Sequence, residues 1–211
     1  MFASKTVQDL LDAFSSPTPT PGGGSAAALA GAVSASLLAM VAAMPKTKHG
    51  TPEDRAALDG VHPSIMALRG QMVGLIDRDA ASYDGVVAAY RLPKGTDEEK
   101  AARKSAIAAA MRHATDVPLE TARAATSLIT HGCVVADHGN PNAASDAGVA
   151  LQLAMTAASG ALMNVETNLS GLADADYVNA VRSDVRALQL QGAKGLAGAF
   201  AALGLQLTTN N

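Results

Sequence analysis

Apolar residues recur at spacings of three and four along most of the chain, and no stretch alternates strictly between apolar and polar. That pattern predicts helices and no sheet. Val7, Leu10, Leu11 and Phe14 form a short amphipathic opener, closed by Ser16-Pro17, because the residue before a proline disfavours the helical conformation. From Ala13 to Pro45 there is no charge, and the centre of this run, AAALAGAVSASLLAM, is apolar on every side, as expected of a helix inside a bundle. Ala27, Gly31 and Ala35 recur there at i+4 and form a stripe of small residues open to a neighbouring helix. A long helix is predicted from about Ser64, after the break at His62-Pro63, to Tyr90. Thr96 with Glu99 three residues on reads as a capping box, and Asp116 with Pro118 behind it as the start of a further helix ending near Gly139. The turn GNPN feeds a helix from about Ser145 to Leu169, closed by Ser170-Gly171, and a last helix runs from about Asp174 towards Leu207. The expected fold is one all-α domain over residues 1–211, a multi-helical bundle around a central Ala-rich helix.

Composition sharpens this picture. The chain has 211 residues, 48% hydrophobic but only 3% aromatic, which favours closely packed Ala-rich helices. A net charge of −3 with no basic run argues against nucleic acid as a partner. The run from Ala13 to Pro45 is long enough to cross a bilayer. Its hydrophobicity comes mostly from Ala, with Ser25, Ser34 and Ser36 interspersed, so a buried helix is expected and no membrane partner. One cysteine, Cys133, excludes an internal disulfide and reads as a core residue. The start MFASKTVQDL has no apolar core typical of a signal peptide, so a cytoplasmic location is expected.

Few residues carry chemistry. Ile65, Leu68, Met72, Leu75, Ile76, Tyr83, Val86 and Tyr90 form one apolar stripe of the long helix, and Asp79 falls on it while Asp77 faces away. A carboxylate among apolar side chains is either a paired structural group or an acid–base group whose pKa burial has raised. Asn164 and Asn168, at i and i+4, share a helix face and need partners, whereas Asn140, Ser145 and Asp146 sit where caps and turns ordinarily use such residues. The prolines and glycines of PTPTPGGGS suit either a linker or a ligand loop with Ser25 as helix cap or donor. The five histidines show no metal-ligand spacing, and GGGSAA lacks the preceding strand that a dinucleotide fingerprint requires. No metal or cofactor is therefore expected.

In order along the chain, PTPGGGSAAALAGA, DRDAASYD, YRLPKGTDEEKAAR, ATDVPLETA, GNPNAASDAGVA and MNVETNL together resemble the formiminotetrahydrofolate cyclodeaminase and methenyltetrahydrofolate cyclohydrolase family, from Val7 to about Ala187. The resemblance implies a dimeric, all-helical enzyme acting on the one-carbon unit that bridges N5 and N10 of tetrahydrofolate, with that folate as substrate and no further cofactor. It makes Asp79 the catalytic carboxylate. It implies substrate-binding roles for Gly22, Gly23, Gly24 and Ser25 in the glycine loop, for Asn140 and Asp146, for Asn164 and Asn168, and for Lys48. The family pattern carries a T-x-G-K segment where this chain reads MPKTKHG, with Pro45 replacing the threonine and Lys48 keeping the basic position. Hydrolysis of the methenyl bridge is the first reading, favoured by the absence of a fused formiminotransferase. Ammonia-releasing cyclodeamination is the second, and a non-catalytic helical folate-binding or scaffold protein the third.

Overall fold

The computed structural model describes residues 1–45 and 50–205, and all of its regular structure is helical. In order it has α1 (Val7–Ser15), α2 (Gly23–Ala43), α3 (Pro52–Tyr90), α4 (Asp97–His138), a 3-10 turn (Pro141–Ala143), α5 (Ala144–Leu169) and α6 (Ala175–Ala202). The bundle expected from periodicity is present, with α2 packed against α3, α4 and α5, and α6 closing over α4 and α5. Small residues set how closely the helices approach. A side chain at Gly31 would meet Met72 Sδ at 2.7 Å, and the buried hydroxyl of Ser34 donates to the Ala150 carbonyl at 2.7 Å. Ala28, Ala35, Leu38 and Ala42 have no exposed surface.

The burial of α2 is one-sided rather than complete. Val33 and Met40 are each 43% exposed, so one edge of this helix stays open. Two helical segments, Gly23–Ala43 and Pro141–Leu169, are long and apolar enough to cross a membrane, and each has about half of its most apolar window, 56% and 50%, buried within the bundle. Cys133 is half-buried against the core, with burial pushing its thiol pKa up, as suits a packing residue.

Two expected helix starts were misplaced. α3 begins at Pro52 under a capping box made by Thr51 and Asp54 and runs straight through Pro63. α4 begins under the expected Thr96–Glu99 capping box and continues through Pro118 to His138. A proline inside a helix removes one N–H and crowds the carbonyl four residues earlier. Pro63 is on the exposed side of α3, and Asp59, whose carbonyl it frees, is exposed as well, which leaves that carbonyl to solvent. Pro118 is buried, and the amide of Asn168 donates to the freed Ala114 carbonyl at 2.6 Å. The result is a hairpin of two long antiparallel helices, of 39 and 42 residues. α6 ends at Ala202, and the expected end near Leu207 lies outside the described residues.

Candidate active site

Asp79 sits in the last third of α3, where the N-terminus of α2 approaches it. The Ser25 hydroxyl lies 3.0 Å from Asp79 Oδ2 and 2.9 Å from the Ile76 carbonyl, so one hydroxyl proton is shared between two acceptors. The cap of α2 is Gly22, which offers no side chain. Ser25 is therefore not the helix cap; it lies one turn inside and holds the carboxylate. Burial pushes the Asp79 pKa above the ordinary aspartate value, while donation from the Ser25 hydroxyl and its backbone N–H pulls the other way. A charge-stabilising helix N-terminus and a desolvating cavity thus act on the same carboxylate in opposite directions.

Gly24 explains why the loop is rich in glycine. A Cβ there would lie 2.0 Å from Asp79 Oδ1, so no side chain fits while the carboxylate occupies its place. The close approach is made by the catalytic candidate itself, and neither Gly22 nor Gly23 nor Gly24 adopts positive φ, since the one such glycine among the described residues is Gly204. At Gly23 the corresponding contact, 3.5 Å to Asn164 Nδ2, is ordinary packing.

Gly22, Gly23, Gly24, Asp79, Asn164 and Asn168 line one cavity of about 420 Å³, within the range of small-molecule sites. Asn164 Nδ2 donates to the Gly160 carbonyl at 2.8 Å, and Asn168 Nδ2 to Ala114. Both amides are thereby oriented with their oxygens free to accept from a ligand. A groove of about 560 Å³ between α5 and α6 is larger. Its one ionisable wall residue, Glu166, is engaged with Arg182 at 3.5 Å, so the chemistry points to the smaller cavity.

A Formiminotransferase-cyclodeaminase family model matches residues 6–187. The chain belongs to this family. It is 40% identical over 200 residues to a methenyltetrahydrofolate cyclohydrolase of Methylorubrum extorquens, covering 95% of this chain and 94% of the relative. It is 33% identical to the formimidoyltransferase-cyclodeaminase of Rattus norvegicus over 82% of this chain but 32% of the relative, so it spans about a third of that longer protein. The formiminotetrahydrofolate cyclodeaminase of Thermotoga maritima shares the fold, with a TM-score of 0.86 over 97% of this chain and 98% of the other at 22% identity.

Not every family-implied position gathers at Asp79. Asn140 is buried at the opposite end of α5, donating to the Pro45 carbonyl at 2.9 Å and accepting from Asn142 N–H at 3.0 Å. It ties the α4–α5 turn to the end of α2. Asp146 lies in the first turn of α5, eighteen residues and about 27 Å from Asn164 along the helix. Lys48 lies outside the described residues. Asp77 accepts from the backbone N–H groups of Phe2 and Ala3, so it holds the start of the chain and leaves the cavity to Asp79. Ser82, Met111, Ala114 and Thr167 also line the cavity and were not picked out from sequence. Met111 and Ala114 lie just before the helix start that the sequence predicts at Asp116, whereas the observed helix runs unbroken past the site.

Proposed function

We propose that this chain hydrolyses 5,10-methenyltetrahydrofolate to 10-formyltetrahydrofolate, with Asp79 as general base and then general acid. The observation that carries this reading is end-to-end similarity to a cyclohydrolase, 40% over 95% of the chain, joined to a desolvated carboxylate in a cavity of suitable size. The methenyl bridge is a cationic amidinium carbon. Ionised Asp79 attracts that cation and takes a proton from the attacking water as the C–O bond forms. Protonated Asp79 then gives a proton to N5 as the C–N5 bond breaks, and it receives the hydroxyl proton as the formyl group forms on N10. One proton per turnover leaves to solvent. A raised pKa suits both halves of that cycle, because the group must accept and release a proton near neutral pH.

The oxygens of Asn164 and Asn168 serve as acceptors for the N–H groups of the pteridine, and no cofactor is required. Similarity to the formimidoyltransferase-cyclodeaminases supports a second reading, in which N10 attacks a formimino carbon and ammonia leaves. The test follows methenyl absorbance and ammonia in parallel. Hydrolysis without ammonia from the formimino substrate supports the first reading, ammonia release supports the second, and neither signal supports a non-catalytic folate-binding protein.

We further propose a cytoplasmic homodimer. The small-residue stripe Ala27, Gly31 and Ala35 is consumed inside the monomer, so it does not supply the interface. The open edge of α2 with Val33 and Met40 supports one instead, since an exposed apolar stripe favours a partner surface.

A further inference from the structure

The chain has three tyrosines, and two of them hold a flat cation. Arg103, at the tip of the α3–α4 hairpin, sets its guanidinium 5.5 Å from the Tyr90 ring centre and donates to the Tyr90 carbonyl at 2.9 Å. Arg112 sits 4.4 Å from the Tyr177 ring centre, and the Tyr177 hydroxyl donates to Asp116 at 2.6 Å. The third, Tyr83, has no guanidinium and no hydrogen-bond partner among the described residues. It remains 44% exposed although it lies on the apolar stripe of α3.

That open ring lines the Asp79 cavity. Tyr83 follows Asp79 by four residues on α3, which puts ring and carboxylate on one helix face, with their Cβ atoms about 5–6 Å apart. Among the described residues, Tyr83 is the one aromatic side chain of the cavity wall and Asp79 the one carboxylate, and no Lys, Arg or His lines it. A carboxylate beside the negative face of a π-system, with no positive side chain to answer either, is a setting that selects a cation.

We propose that Tyr83 sets the preference of this site for a charged one-carbon unit, its ring stacking on the planar amidinium cation of 5,10-methenyltetrahydrofolate, an inference that rests on the folate reading above. The contact is of the same kind as those that Tyr90 and Tyr177 make within the protein. Neutral folates share the rest of the cavity wall but gain nothing from the charge. As water adds and its proton passes to Asp79, the carbon becomes tetrahedral and the cation is gone, so the ring holds substrate more tightly than product. An attraction that fades towards the transition state lowers KM without raising kcat.

The test measures, by calorimetry, binding of the cationic 5,10-methenyltetrahydrofolate and the neutral 5-formyltetrahydrofolate to Tyr83→Phe and Tyr83→Leu, each placed in an Asp79→Asn background to stop turnover. Phenylalanine keeps the ring face, so the preference for the cation should stay within about twofold of the Asp79→Asn parent, whereas leucine should reduce it by about threefold to tenfold, between the values of exposed and desolvated pairs. With Asp79 intact, Tyr83→Leu should raise KM for the methenyl substrate and leave kcat equal or higher. A ring that only packs beside Asp79 would instead give a lower kcat and equal losses for both folates. An unaltered preference in the leucine variant, or loss of preference in the phenylalanine variant, overturns the proposal. Binding of neither folate overturns the folate reading and the stack with it, while binding of both with equal losses overturns the stack alone.

Discussion

Asp79, Ser25 and Gly24 form one small mechanical unit in which each residue explains the next. The carboxylate is desolvated, one hydroxyl and one N–H restrain its rise in pKa, and a glycine makes room for it. Asp79→Asn keeps the shape and still accepts from Ser25, but it accepts no proton, so kcat should fall by about 100-fold or more. Its folded pKa is raised above the unfolded value of about 3.9, so the folded state binds more protons in that window. Stability therefore falls as pH rises from the unfolded to the folded pKa and stays reduced above it. At pH 7 the asparagine variant should melt no lower than wild type, and melting curves at pH 4 and 7 check this. Ser25→Ala removes a donor to the ionised form, so the acidic limb of the kcat/KM profile should move to higher pH. The same profile in wild type locates Asp79. Gly24→Ala should displace the carboxylate and cost about 100-fold in kcat/KM, whereas Gly23→Ala should keep activity and gain up to about 1 kcal/mol of stability from helix propensity. Equal kinetic losses in the two glycine variants would remove the fitted-glycine account.

At the scale of the element, the informative case is α4. By propensity, Pro118 should end or kink a helix, yet here its cost is offset by a side chain from another helix, the Asn168 amide on the Ala114 carbonyl. The defect also orients a cavity residue. Pro118→Ala returns an N–H to position 118, which competes for that carbonyl and frees Asn168. The substrate KM should rise by about twofold to tenfold, the value of one hydrogen bond, with little change in melting temperature; steady-state kinetics on the folded variant measure it. The same comparison shows what sequence could reveal. The capping box at Thr96, the ends of α1 and α5 and the position of Asp79 on an apolar stripe are local features, and each was legible. Helix continuity depends on exposure at Pro63 and on Asn168 at Pro118, circumstances that no local pattern names. For the same reason the cavity wall from α4 was invisible, and so was the partner of Asn140, the Pro45 carbonyl.

For the whole molecule, the bundle leaves one edge of its central helix uncovered. If a second copy covers it, sedimentation at micromolar concentration should give a dimer, and Val33→Asp/Met40→Asp should give a folded monomer; a stable wild-type monomer would count against the interface. A second architectural feature is the overhang of the hairpin. No residue of α4 before Ala114 is buried, so its first four turns are steadied chiefly by α3 and by the Arg103–Tyr90 tie. Segments with so little burial open locally at far lower free energy than the core. The tip is thus the part of the molecule that can breathe without unfolding the rest.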